Sequence, residues 1–230
     1  MVEVTDRATI SIEVFSDVVC PWCFIGKRRL AKALGTLADD PEFDADVEVV
    51  YRPFQLDPRA PLDRADPVLE VYARKFGGPD QAATIVARTT AMAAAEGIEF
   101  HMDRAVRANT ADAHRLLNWT LQHAGRDKQA EVKEALMTAY FCDGENVADH
   151  DVLVRRAEAC GLDGGAVRTM LSEEAGLEDL EVGLQRAADL DVTAVPTYVV
   201  NGRWSIPGAQ DPDTFVTALR RLATKLRDAS

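Results

Sequence analysis

Two cysteines separated by two residues, Cys20 and Cys23 in "SDVVCPWCFIGKRRL", are the residues whose type and spacing point most directly to chemistry. Such a pair can carry out thiol-disulfide exchange, supply half of a zinc site, or amount to two buried thiols that do not react. Zinc would need two more ligands, commonly from a second Cys-x-x-Cys or a closely spaced histidine pair. Cys142 and Cys160 stand far apart, His101, His114, His123 and His150 are scattered, and no metal is expected.

Redox chemistry has a local physical basis here. With Cys20 at a helix N-cap, Pro21 takes the first helical position, where its missing N–H costs nothing and its fixed φ fits. The N–H groups of Trp22 and Cys23 then point toward the Cys20 sulfur. Together with the positive end of the helix dipole they favour thiolate over thiol, which makes Cys20 the expected nucleophile. Cys23, one turn further in and on the apolar stripe, is shielded yet close enough to attack a mixed disulfide at Cys20; it is the expected resolving thiol. The run Lys27-Arg28-Arg29 would reinforce a thiolate, although a solvated helix face is the simpler explanation. Asp17, three residues before Cys20, would raise a thiol pKa and could pass a proton to Cys23; the plainer alternative is a solvated acid at a strand end.

The elements that must hold this pair can be read outward from it. Residues 10–15, "ISIEVF", alternate as a strand does and end where the cysteines begin. Cys23, Lys27, Leu30, Leu34 and Leu37 then recur at helical spacing, with Gly35 and Asp39-Asp40-Pro41 marking the close. A second strand is expected over 47–52, completing a β-α-β opening. From about Pro61 to Gly176 the pattern is helical almost throughout, in short segments ended by Gly or a polar turn. Among them are "NTADAHRLLNWTLQHAG", "DKQAEVKEALMTAYF" and "DHDVLVRRAEACG", and the absence of self-similarity argues against a solenoid.

A helix over 177–190 leads into "DVTAVPTYVVNGRWSIPGAQ". There Thr197–Val200 and Arg203–Ile206 flank Asn201-Gly202, the pair expected in a type I′ hairpin turn. Pro196 opens the first of these strands. In a chain whose β-α-β start suggests the thioredoxin class, a proline there is often cis, leaving the Val195 backbone able to pair with a substrate beside Cys20. A last helix, 212–227, carries Phe215, Leu219, Leu222 and Leu226 on one stripe.

Bulk properties narrow the function classes. The 230 residues, 47% hydrophobic and 28% charged, suit one domain carrying a substantial insert. A formal charge of -12, from 26 basic against 38 acidic residues, disfavours a nucleic-acid partner and an anionic membrane surface. The first residues contain acids and no apolar run, so neither a secretory signal nor a membrane partner is expected, and the expected compartment is the cytoplasm. Four cysteines are too few for a disulfide scaffold, so a disulfide here would be transient and catalytic. Cys142 and Cys160 read as buried free thiols.

Several segments, "FSDVVCPWCFIGKRRL", "YRPFQLDP", "NTADAHRLLNW", "LMTAYF" and "AVPTYVVNGRWSIPGAQ", together resemble DsbA-family thiol-disulfide oxidoreductases of the FrnE type across nearly the whole chain. The resemblance implies an α/β, thioredoxin-like fold with a large α-helical insert: residues 1–60 and 177–230 as a discontinuous thioredoxin-like domain, 61–176 as the insert. It implies catalysis by Cys20 and Cys23 with Pro196 as the cis-proline, and substrate contacts from Trp22, Val195, Asn109 and His114. The substrate would be a disulfide- or thiol-containing protein or small molecule. No bound cofactor is implied, with glutathione as a thiol co-substrate. The same superfamily holds glutathione-dependent 2-hydroxychromene-2-carboxylate isomerases, usually with serine in place of the first cysteine. This chain keeps both cysteines, which favours redox chemistry over that alternative and over a non-enzymatic binding module. Some FrnE-type members carry a further C-terminal cysteine motif; no cysteine follows Cys160 here.

Overall fold

Alternation along the first strand decides how the sheet is covered. In the computed structural model, which describes residues 7–62 and 64–228, β1 (Ala8–Ser16) sends Ile10, Ile12 and Val14 to one face and Phe15 to the other. β2 (Ala45–Pro53) runs parallel to β1 from Ala8 opposite Ala45 to Ser16 opposite Pro53. β3 (Thr197–Val200) lies antiparallel on the other side of β1, and β4 (Trp204–Pro207) is antiparallel to β3, giving the order β2-β1-β3-β4. A parallel pair needs a crossover connection, and α1 (Pro21–Ala38) supplies it.

One face is covered by α1 and α8 (Pro212–Arg227), whose Leu30, Leu37, Phe215 and Leu219 join Ile10, Ile12, Val14 and Tyr198 in one cluster. The other is covered by α7 (Leu177–Asp189) through Ala187 against Phe15 and Val199. This is an α/β, thioredoxin-like fold. Between β2 and α7 the chain forms the helical block: α2 (Val68–Lys75), α3 (Pro79–Ala95), α4 (Ala111–Phe141), α5 (His150–Ala159) and α6 (Gly164–Ser172).

The helical block has no core walled off from the dithiol. Ala93, Leu116, Leu136, Leu153 and Met170 share one cluster with Cys20, Cys23, Phe24 and Ile25. Phe24 meets Phe100 and Phe141 at ring-centroid distances of 6.1 and 6.0 Å, and burying such a side chain stabilises by about 1.5–3 kcal/mol. The edge of β2 is covered by α4. There Gln129 acts as a strand partner: its Oε1 accepts from the Tyr51 N–H at 2.9 Å and its Nε2 donates to the Tyr51 carbonyl at 2.9 Å.

Three boundaries differ from the sequence expectation. Gly35 lies inside α1, which closes only at Asp39, whose N–H bonds back to the Gly35 and Leu37 carbonyls. The two helices expected on either side of Gly125 abut without a loop, because Gly125 alone takes the non-helical geometry (φ 84°, ψ −178°) open to glycine. The hairpin has Asn201 and Gly202 at positive φ (49° and 62°) with the Arg203 N–H closing onto the Val200 carbonyl at 3.1 Å. Pairing resumes at Trp204 opposite Val200, so β4 starts one residue late. No helix among the described residues is long and apolar enough to cross a membrane.

Candidate active site

Cys20 is the N-cap of α1 (φ −92°, ψ 115°), with proline in the first turn. The N–H groups of Cys23 and Phe24 close that turn onto the Cys20 carbonyl at 3.0 and 3.3 Å. The sulfur accepts no capping hydrogen bond, which corrects the expectation that the Trp22 and Cys23 amides point at it; the Cys23 amide is already committed to the carbonyl. Cys20 Sγ instead donates to the Val195 carbonyl at 3.7 Å, across 175 positions of sequence. The Val195–Pro196 peptide bond is cis.

Both cysteines are free thiols, and both are buried, Cys20 at 3% exposure and Cys23 at 2%. Cys20 is therefore not an open surface thiol. Half-buried Val19, Trp22, Tyr72 and Val195 pack over the cluster that contains it. Burial pushes the Cys23 thiol well above its ordinary range, and its hydrogen bond to Cys20 and the charge on Cys20 push the same way. Burial also raises Tyr72 to about 12, with Cys20 adding to it. Cys142 and Cys160 are likewise free thiols, one half-buried and one buried.

Asp17 is fully buried, not a solvated strand-end acid. Its carbonyl accepts from the Cys20 N–H at 3.3 Å, and Oδ2 accepts from the Leu56 N–H at 2.8 Å. Oδ1 lies 3.2 Å from His114 Nε2, which is also 3.1 Å from the Phe54 carbonyl. His114, at 2% exposure, thus faces inward to Asp17 and lines no open groove. Asn109 is held at both ends by backbone: Nδ2 donates to the Ala60 carbonyl at 3.0 Å and Oδ1 accepts from the Ala111 N–H at 3.0 Å. The N-cap of α4 is Thr110, and Asp112 bonds Arg115 and His150 rather than capping the helix. The Lys27-Arg28-Arg29 run is spent on ion pairs. Lys27 and Arg28 bind Glu134, and Arg29 binds Glu96 and Asp211, which ties α1 to the helical block and to the start of α8.

The structure adds residues that sequence reasoning missed. Lys133, on α4, is 1% exposed, and its Nζ makes no hydrogen bond among the described residues. It lies 5.3 Å from the centroid of the Tyr51 ring, and burial lowers its pKa to about 8 against the opposing pull of Cys23 and Asp17. The Tyr198 hydroxyl is also buried without a hydrogen bond among the described residues, and burial, followed by the charge on Cys23, raises it well above its usual range. The signal for Lys133 was present in "DKQAEVKEALMTAYF": it falls with Val132, Leu136, Met137 and Tyr140 on the helix face that is otherwise apolar.

A DSBA-like thioredoxin domain matches residues 11–220. Protein YwbO of Bacillus subtilis (strain 168) is 30% identical over 214 residues, covering 92% of this chain and 96% of that one. Among solved structures, a probable DsbA oxidoreductase from Streptomyces coelicolor is 35% identical with a TM-score of 0.82, over 92% of this chain and 89% of that one. A 2-hydroxychromene-2-carboxylate isomerase aligns over 96% of this chain and 99% of that one with a TM-score of 0.68 at 16% identity, a likeness of fold alone. The matched span takes in the dithiol, the Val195–Pro196 turn that meets it and the helical block that buries it, and the chain belongs to the DsbA-like thioredoxin family of thiol-disulfide oxidoreductases.

Proposed function

We propose that this protein is an oxidoreductase of the FrnE type that cycles its CPWC pair through a mixed disulfide in the cytoplasm. The observation that carries the reading is the Cys20 sulfur at a helix N-cap, 3.7 Å from the Val195 carbonyl, with Cys23 one turn behind it. In the reducing direction the Cys20 thiolate attacks a substrate disulfide, a Cys20–substrate bond forms, and the first substrate sulfur leaves with the bonding pair. Cys23 then attacks the Cys20 sulfur, the internal disulfide forms, and the second substrate sulfur leaves. The oxidising direction reverses both steps.

In this scheme Val195 and Trp22 hold the substrate beside the sulfur, and Pro196 keeps the Val195 carbonyl turned toward it. Asp17, oriented by His114, passes the proton that Cys23 gives up, while Asn109 supports the wall through Ala60. The substrate is a thiol- or disulfide-containing protein or small molecule, glutathione included as co-substrate, and the chemistry needs no bound cofactor.

Trapping tests the assignment. Cys23→Ser should accumulate a mixed disulfide with substrate or glutathione, visible by mass, and Cys20→Ser should accumulate none, since attack proceeds through Cys20. An adduct on Cys23 in the Cys20→Ser protein would reverse the roles. The likeness to the isomerase fold favours a second reading, in which glutathione supplies the nucleophile and position 20 only hydrogen-bonds its sulfur. Serine could do that as well as cysteine. Undiminished turnover of a hydroxychromene-type carboxylate with glutathione by Cys20→Ser, together with no disulfide exchange by wild type, would establish the second reading over the first.

A further inference from the structure

Lys133 reaches the dithiol from the helical block and has no structural task there that its charge would serve. Its Nζ is buried without a hydrogen bond among the described residues, against the face of Tyr51. An ammonium held this way is strongly disfavoured unless an opposite charge forms beside it. The charged and titratable groups facing it are Cys23, then Asp17, Lys27 and Cys20; Tyr51 and Tyr198 complete the surroundings as phenols that burial keeps neutral. Asp17 is engaged by His114 and the Leu56 amide, and Lys27, of like sign, by Glu134. Cys23 is the group left for Lys133 to serve.

We propose that Lys133 is the buried counter-charge of the resolving thiol, holding Cys23 as a thiolate once Cys20 is bonded to substrate and so setting the pH dependence of resolution. The proposal rests on the reading of Cys23 as the resolving cysteine. In the resting dithiol, burial, the hydrogen bond to Cys20 and the charge on Cys20 all keep Cys23 protonated. Bonding Cys20 to a substrate sulfur removes both Cys20 contributions together. Lys133 and a backbone hydrogen bond from Asp17, which act in the opposite sense, remain. Cys23 therefore becomes easier to ionise at the stage when it must attack. Its sulfur bonds to Cys20, the Cys20–substrate bond breaks, the substrate sulfur departs with the bonding pair, and the proton given up by Cys23 ends on that departing sulfur. Lys133 bonds to none of these atoms and is a positioning residue.

The test uses the full chain and a disulfide-linked peptide whose two halves carry different fluorophores, so that the first release reports attack by Cys20 and the second reports resolution by Cys23. Rates are followed from pH 5 to 9 in wild type, Lys133→Met and Lys133→Gln. Methionine keeps the packing against Tyr51 without a charge; glutamine keeps a donor without a charge and serves if the methionine variant does not fold. Either variant should slow the second release at least tenfold at pH 7 and move the midpoint of its pH profile up by a unit or more, while changing the first release less than threefold. A second-release profile that superimposes on wild type in a folded variant overturns the proposal. Failure of the underlying reading looks different: Cys23→Ser would then release the second half at the wild-type rate.

Discussion

At the residue scale the site is governed by what burial does to charge. Lys133 has a folded pKa of about 8 against an ordinary 10.5. Between these values the unfolded chain holds a proton that the folded chain has released, so this group makes stability rise with pH across that window. Below about 8 both states carry the proton and the full cost of the buried cation stands. Lys133→Met should therefore be more stable than wild type at pH 7, by roughly 1–4 kcal/mol. The advantage should shrink as pH is raised from 8 to 10.5. Denaturant unfolding at a series of pH values measures this, and an advantage that stays constant across the window would mean the lysine is not buried as an ammonium.

At the element scale the close approach of α1 to the Val195–Pro196 turn depends on one glycine. A Cβ at Gly26 would stand 2.4 Å from the Tyr198 hydroxyl oxygen and 3.1 Å from Pro196 Cγ. Tyr198 has nowhere to retreat, since it is buried edge-on against Phe215 at 4.7 Å between ring centroids. Gly26→Ala should cost about 1–3 kcal/mol by overpacking. It should also slow disulfide exchange, because the same displacement moves the Val195 carbonyl away from Cys20. Thermal unfolding and an insulin-reduction assay test the two effects, and a variant that retains wild-type stability and rate would show that the turn can yield without consequence. The strand and helix types were legible in the sequence because apolar alternation and apolar stripes are local signals. The closeness of Gly26 to Tyr198 was not, since it depends on β3 landing beside β1.

At the scale of the whole molecule the chain is best regarded as one cooperative unit even though the thioredoxin-like part, 1–60 and 177–230, is discontinuous around the 61–176 block. The helices of the block bury the dithiol and Phe24, and Gln129 closes the edge of β2, so neither part completes its core alone. Single-tryptophan variants keeping either Trp22 on α1 or Trp119 on α4 should give coincident denaturant transitions by fluorescence. Separated midpoints would divide the molecule into two folding units.

The sequence by itself determined what depends on near neighbours: Cys20 ahead of Pro21 at a strand-helix junction, Cys23 one turn on, positive φ at Asn201-Gly202, and the stripes that turn α1 and α8 toward the sheet. Tertiary structure decided what depends on the groups that arrive from elsewhere. It buried Asp17 against His114, took the Cys20 sulfur to the Val195 carbonyl, tied the Lys27-Arg28-Arg29 run to Glu134, Glu96 and Asp211, and brought Lys133 in beside Cys23. Local spacing fixes which face a side chain occupies. The desolvation and the opposing charges that set its reactivity come from partners dozens of residues away, and only the packed chain brings them together.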